Sequence, residues 1–272
     1  MSTPTAAFVI MAGGRGERLW PMVRSDRPKV CLSLDGTQTL LESTLQRLKP
    51  LSRHAEVLIV TTRPQARAVR RVIPAAFQRS VLVEPQAKNT AACIALAASV
   101  LAQRDPMCVM AVLPADHWIQ PAAAFHRSLR AAMTTAHETD QLVMIGVQPT
   151  RLHTGLGYLC AGSRDGVQHG CQIFRLSRFA EKPSQQAARR LRRQGRTFWN
   201  AGIFVGRVTT FLELIRRWLP THARLVLPLG ELLSRAALTR QVAAAYRKLP
   251  AVSFDDGVMA HLRDGYVVEG RF

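Results

Sequence analysis

This 272-residue sequence predicts an α/β fold, a mixed, mostly parallel sheet flanked by helices. Three observations carry that expectation. Short β-branched runs alternate with helix-patterned segments through the first half. The helical stretches between them are long enough for crossovers, which join parallel strands and cover both sheet faces. No repeat, low-complexity tract or linker interrupts the chain, so one domain of two lobes is expected.

The elements follow in order. AFVIMA (residues 7–12) is an unbroken apolar run of strand length that ends in glycines. TLLESTLQRLKPL (39–51) has helical spacing, and EVLIVTT (56–62) is the next strand. PQARAVRRVI (64–73) returns to helix and SVLVEP (80–85) to strand. TAACIALAASVLAQR (90–104) reads as an apolar helix and CVMAVLPAD (108–116) as a strand. In the second half QLVMIGV (141–147), CQIFRLSRFA (171–180) and FWNAGIFVG (198–206) read as strands. QQAARRLRRQG (185–195) and TTFLELIRRWL (209–219) read as helices, and GYVVEGRF (265–272) holds a last strand.

Composition bounds the function. No apolar run reaches the ~18–20 residues of a membrane-spanning helix. The first residues lack a basic region and a cleavage site, so a soluble cytoplasmic chain without an export signal is expected. Five scattered cysteines without a C-x-x-C suggest neither a zinc site nor a disulfide framework. The formal charge of +19 is nearly all arginine, since lysine stands only at 29, 49, 88, 182 and 248. Such a charge favours polyanionic partners, or records arginine replacing lysine and uncharged surface residues through codon bias. The runs RAVRR (67–71) and ARRLRRQGR (188–196) lack interleaved aromatic residues. They read as solvated helix faces, and nucleic-acid binding is not expected.

The densest chemistry lies in MAGGRGERLWPMVRSDRPKV (11–30). This segment leaves the end of the first strand, where an open α/β sheet places its ligand crevice. Gly13, Gly14 and Gly16 let backbone N–H groups approach an anion, while Arg15, Arg18 and Lys29 add charge for a polyphosphate. It is neither a Walker A loop nor a dinucleotide fingerprint. A plain strand-to-helix turn is the alternative. Asp116 follows an apolar strand whose end faces the same crevice; the alternative for it is a cap on a helix after Pro121. Asn89 and Thr90 open an apolar helix and could serve it only as caps, and Glu181 with Lys182 could be a surface ion pair. Trp199 reads as core packing.

MAGGRGERLWPMVRSDRPK resembles the G-G-x-G-x-R-L…Pro-Lys signature of the sugar-phosphate nucleotidyltransferases, and its RLWP portion resembles the mannose-1-phosphate guanylyltransferase branch. Further similarities run in order: VEPQAKNT, VLPADH, TGLGY, FAEKP, FWNAG and, more loosely, SFDDGVMA. The resemblance implies a Rossmann-like nucleotide-diphospho-sugar transferase fold. It divides the chain into a nucleotide-binding lobe (1–118) and a sugar-phosphate-binding lobe (119–272).

The reaction it implies is attack of a hexose-1-phosphate oxygen on the α-phosphate of a nucleoside triphosphate, releasing pyrophosphate. GTP and mannose 1-phosphate would give GDP-mannose. A phosphate is already nucleophilic at neutral pH, so positioning, charge neutralisation and Mg²⁺ are needed rather than a catalytic triad. By resemblance, Arg18, Lys29 and Asp116 are catalytic, with Asp116 the metal ligand. Gly13, Gly14, Arg15, Gly16, Glu84, Lys88, Asn89 and Thr90 would bind the nucleotide or support its loop. Gly157, Tyr158, Glu181, Lys182 and Asn200 would bind the sugar phosphate. His117, beside Asp116, is expected to be structural or to support that acid from behind, since the reaction needs no base. A homo-oligomer stays open.

Departures from the pattern matter for specificity. Lys88 stands for an arginine, Val30 for glutamine, Leu156 for tyrosine, Ala201 for serine and Ala260 for glutamate. The family's Gly-Trp-x-Asp-x-Gly, whose aspartate is its second metal ligand, does not occur before Phe272. Asp255 or Asp256 are the candidates to replace it. Another base or sugar, or a truncated and catalytically weak nucleotide-sugar-binding regulator, are the alternatives that these departures leave.

Overall fold

The computed structural model describes residues 5–14, 16, 22–24, 26–53, 55–193, 195–234 and 239–272. Among the described residues there are nine strands: β1 Ala6–Met11, β2 Ala55–Thr62, β3 Val81–Glu84, β4 Val109–Pro114, β5 Val143–Val147, β6 Tyr158–Gln168, β7 Cys171–Ala180, β8 Thr197–Arg207 and β9 Tyr266–Gly270. The helices of the first half are α1 Leu40–Leu48, α2 Ala66–Val72, α3 Asn89–Ala102 and α4 Ala122–Thr139. Those of the second are α5 Gln185–Arg193, α6 Val208–Trp218, α7 Pro220–Val226, α8 Leu229–Ser234, α9 Thr239–Lys248 and α10 Phe254–Gly257.

The strands form one sheet in the order β3-β2-β1-β4-β8-β5-β9-β7-β6. β1 to β4 are parallel, as the crossover spacing predicts. Beyond β4 the sheet turns mixed: β8 runs antiparallel to both β4 and β5, while β5 and β9 are parallel. β6 also pairs with β8 through Tyr158↔Trp199, which closes β8, β5, β9, β7 and β6 into a circuit. The hairpin of β6 and β7 and helix α4 complete what the sequence reading covered only in part. Their alternation is weak, and α4 carries polar residues through much of its length.

β1 explains the layering. Alternate strand residues face opposite sides of a sheet. Ala7 and Val9 belong to one core, Phe8 and Ile10 to the other, and all four are inaccessible to solvent. The first core is filled by α3, buried on every side from Ala91 to Leu101, beneath α6 to α8. A helix apolar all round needs such a setting. The second core packs α1 and α4 through Leu41, Leu45, Leu48, Phe125 and Leu129. α1 starts with a capping box: Thr39 Oγ1 accepts from Glu42 N–H, and Glu42 Oε2 accepts from Thr39 N–H at 2.8 Å.

The arginine runs behave as read from sequence. Arg67, Arg70 and Arg71 on α2, and Arg189, Arg190, Arg192 and Arg193 on α5, are exposed. All five cysteines are free. Among the described residues no helix is long and apolar enough to cross a membrane.

Candidate active site

β1 to β4 are parallel and end on the same side, so the segments leaving them converge. After β1, Ala12 N–H donates to Val60 (2.7 Å) and Ala12 accepts from Thr61 Oγ1 (2.9 Å), which fixes where the glycine loop departs. Gln65 Nε2 holds the Gly14 carbonyl at 2.9 Å. Gly14 has open space where a side chain would begin. Gly16 adopts φ +64°, and a Cβ there would stand 2.9 Å from Val23 and 3.2 Å from Lys29 Cβ. The loop thus folds back over Lys29, a turn that favours glycine. Arg15 and Arg18 lie outside the described residues.

Lys29 Nζ meets Asp116 Oδ2 at 2.6 Å. Two segments 87 residues apart are joined here, one following β1 and one following β4. Both side chains stay about one-third exposed, so the pair is accessible to a ligand and worth only ~0–1 kcal/mol to folding. The capping alternative for Asp116 is not realised, because α4 begins at Ala122 after Pro121 with no side-chain cap. Arg47 sets the same loop from below: Nη2 donates to the His117 carbonyl (3.2 Å) and to Thr44 Oγ1 (3.0 Å). Burial pushes the His117 imidazole below its usual range. Asp116 opposes that shift, and Arg47 and Lys29 add to it. His117 is therefore neutral at neutral pH, which suits a structural role.

Glu84 ends β3 behind the glycine loop, with Oε2 placed 3.6 Å from where a Gly13 Cβ would be. It is buried, and Tyr246 donates to its Oε1 at 3.2 Å. Burial pushes the carboxyl up to about 8, the tyrosine hydrogen bond pulling it back. The unfolded chain then loses this proton at lower pH than the native one. Stability falls with rising pH across about 4.5 to 8, by at most ~1.4 kcal/mol per pH unit. Glu84→Gln should remove that slope. Urea unfolding from pH 5 to 8.5 should show the variant gaining on the parent protein as pH rises, and parallel curves would refute this.

Lys88 and Thr90 are turned toward the chain's own C-terminal segment. Lys88 Nζ donates to the Leu249 carbonyl (2.6 Å), and Thr90 Oγ1 accepts from Phe254 N–H (2.8 Å). Asn89, at φ +65°, takes its neighbour Thr90's N–H on its own Oδ1. Neither caps α3, whose N-cap position is Lys88 without a side-chain bond. Lys88 and Thr90 thus support the loop, while Asn89 stays exposed.

The second cluster assembles around the start of β8. Asn200 N–H donates to the Gly157 carbonyl at 2.8 Å. A Cβ on Gly157 would lie 2.8 Å from Glu181 Oε2, so the glycine leaves room for that carboxylate. Glu181 pairs with Lys182 at 2.6 Å. The register between β5 and β8 shifts at this point: Met144 and Gly146 face Phe204 and Asn200. Gly202, at φ +63°, sits in the resulting bulge, and its N–H donates to Asn200 Oδ1 at 2.9 Å. Bulges re-aim side chains at sites of this kind. Gly202 also lies beside Pro114, two residues before Asp116, so the clusters adjoin. Tyr158 is the exception. Its ring is fully buried and its hydroxyl bonds the N–H and carbonyl of His153, so it shapes the 153–157 loop and does not reach the crevice. Trp199 packs with Tyr158, as its core reading requires.

Among the described residues no group of three or more His, Cys, Asp or Glu could hold a metal ion. Asp116 nonetheless suits a hard divalent cation, which characteristically takes one or two carboxylates with phosphate oxygens supplying further ligands. Its Oδ1 accepts no hydrogen bond among the described residues. Asp255 and Asp256 have other partners: Asp255 Oδ1 accepts from Asn200 Nδ2 (2.7 Å), and Asp256 Oδ2 from Ser253 (2.6 Å).

Gln65, Arg47 and Tyr246 escaped the sequence reading. Nothing local marks them, because each acts on a residue brought near only by the sheet.

The profile of the family described as "Nucleotidyl transferase" matches residues 7–224. The chain is 33% identical over 262 residues to the xanthan biosynthesis protein XanB of Xanthomonas campestris pv. campestris, covering 96% of this chain and 55% of that protein. It is 32% identical over 271 residues to a mannose-1-phosphate guanylyltransferase of Salmonella muenchen, with the same coverage of both. The chain spans about half the length of these relatives. A Thermus thermophilus crystal structure, described as that of a mannose-1-phosphate geranyltransferase, superposes with a TM-score of 0.82 at 35% identity, covering 99% of this chain and 75% of that one.

Proposed function

The chain belongs to the nucleotidyl transferase family, and we propose that it joins GTP to mannose 1-phosphate, giving GDP-mannose and pyrophosphate. The observation that carries this reading is the Lys29–Asp116 pair set against the glycine loop, with Asn200 and Glu181 adjoining. The guanylyltransferase name of the Salmonella relative supports the choice of substrates.

In this reading the backbone around Gly13 and Gly14 receives the nucleotide, and the Lys29 ammonium neutralises phosphate charge. Asp116 is the carboxylate that would hold Mg²⁺, which supplies charge neutralisation on the triphosphate when bound. Asn200, Glu181 and Lys182 orient the hexose phosphate. No side chain needs to take a proton, because the attacking phosphate oxygen is already anionic. The proposed setting is the cytoplasm, with its supply of nucleoside triphosphates.

Pyrophosphate release should be measured with each nucleoside triphosphate crossed with several hexose 1-phosphates in Mg²⁺. The fastest turnover is expected for GTP with mannose 1-phosphate. Turnover with no pair, alongside retained nucleotide-sugar binding, would replace this reading with that of a binding protein. Lys29→Met should lower kcat/KM for GTP about a hundredfold through loss of a charge-assisted contact. An unchanged value would remove Lys29 from the phosphate site.

A further inference from the structure

We propose that Asp255 is a positioning residue, fixing the Asn200 carboxamide that faces the hexose. Both ends of that amide are held: Nδ2 donates to Asp255 Oδ1 at 2.7 Å, and Oδ1 accepts from Gly202 N–H at 2.9 Å. An amide bonded at both ends cannot flip, so its remaining donor and acceptor directions are set before a ligand arrives.

Asp255 is itself held by a strap of residues 246–256 anchored on the nucleotide side. Tyr246 reaches Glu84, the Leu249 carbonyl accepts from Lys88, the Val252 carbonyl from Ala91 N–H (3.2 Å), and Phe254 N–H donates to Thr90. The strap therefore ties the loop after β3 to the sugar half of the site. Asp255 is half-buried, and the charged groups facing it are Glu181 and Lys182 after β7 and Asp256 on its own helix. Burial first, then Glu181, pushes its carboxyl up to about 6. The carboxylate form is the stronger acceptor, so the Asn200 contact weakens as pH falls through that value.

This role presupposes that a sugar phosphate binds beside Asn200, and the test separates the two. The sequence holds two asparagines, Asn89 and Asn200. With ¹⁵N-asparagine labelling, the Asn200 side-chain amide should shift with a midpoint near pH 6 in the parent protein and stay flat in Asp255→Ala, whatever the turnover. In steady-state kinetics, Asp255→Ala should raise KM for mannose 1-phosphate about tenfold with KM for GTP within about twofold. Asp255→Asn, which keeps an acceptor oxygen, should recover most of that loss.

The sugar phosphate's own ionisation is common to all variants, so an extra rise of KM below pH 6 in the parent alone reports Asp255. Thr90→Val, made on the nucleotide side, should raise KM for the sugar phosphate more than KM for GTP. An Asn200 amide insensitive to pH, or Asp255→Ala raising both KM values equally, overturns the positioning role. Absence of turnover from every substrate pair overturns the proposed reaction instead and leaves the amide titration to decide Asp255.

Discussion

Asp116→Ala should abolish nearly all pyrophosphate release, lowering kcat about a thousandfold, or ~4 kcal/mol at the transition state. The size follows from what the carboxylate does in the proposed reaction. It is the anionic group where a divalent cation would be held, at the point where two polyanionic substrates must be brought together. The two acids that the sequence offers as replacements already have partners, Asp255 in Asn200 and Asp256 in Ser253. Folding should hardly notice, because the Lys29–Asp116 pair is about one-third exposed and exposed pairs contribute ~0–1 kcal/mol. The useful result is this split, an unchanged melting temperature beside lost turnover. If Asp116→Ala retained a tenth of the parent's kcat, the carboxylate would not be the metal site. If it unfolded the protein, the pair would be structural.

Gly230→Ala should be among the most destabilising single substitutions in the chain, although alanine is the better helix former. Propensity alone favours the variant by about 1 kcal/mol. The tertiary contact runs the other way. Gly230 in α8 presses on α3, and a Cβ there would fall inside the Ser99 carbonyl, with Ser99 Cβ at 3.0 Å. The obstacle is backbone, which cannot rotate aside as a side chain can. α8 would have to move off α3, whose alanines 91, 92, 95, 97 and 98 are all buried against their neighbours. Overpacking of this kind costs roughly 3 kcal/mol, beyond the propensity gain. For a chain of this length that lowers Tm by roughly 5–10 °C, readable by circular dichroism. An unchanged or higher Tm would mean that α8 is not seated on α3 as described.

Apolar runs such as AFVI in β1 and VMAVL in β4 were enough to place the strands, since four or more buried residues in a row report a central strand. They do not report direction. A strand with both faces buried looks the same whether its neighbour runs parallel or antiparallel. The insertion of β8 between β4 and β5 was therefore not readable, and with it the bulge that holds Asn200.

Legible along the chain alone were the α/β class, the glycine loop at the end of the first strand, the acid at the end of the fourth, and the residue types suited to phosphates. These are local properties, written in runs of hydrophobicity and in the spacing of glycine and charge along a few residues. Which polar groups meet became visible only in the folded molecule. Tyr246 reaches Glu84 across 162 residues, Thr90 takes Phe254's N–H across 164, and Asp255 takes Asn200's amide across 55. A hydrogen bond depends on positions within a few tenths of an ångström. The order of strands in the sheet sets those positions, and no local pattern encodes that order.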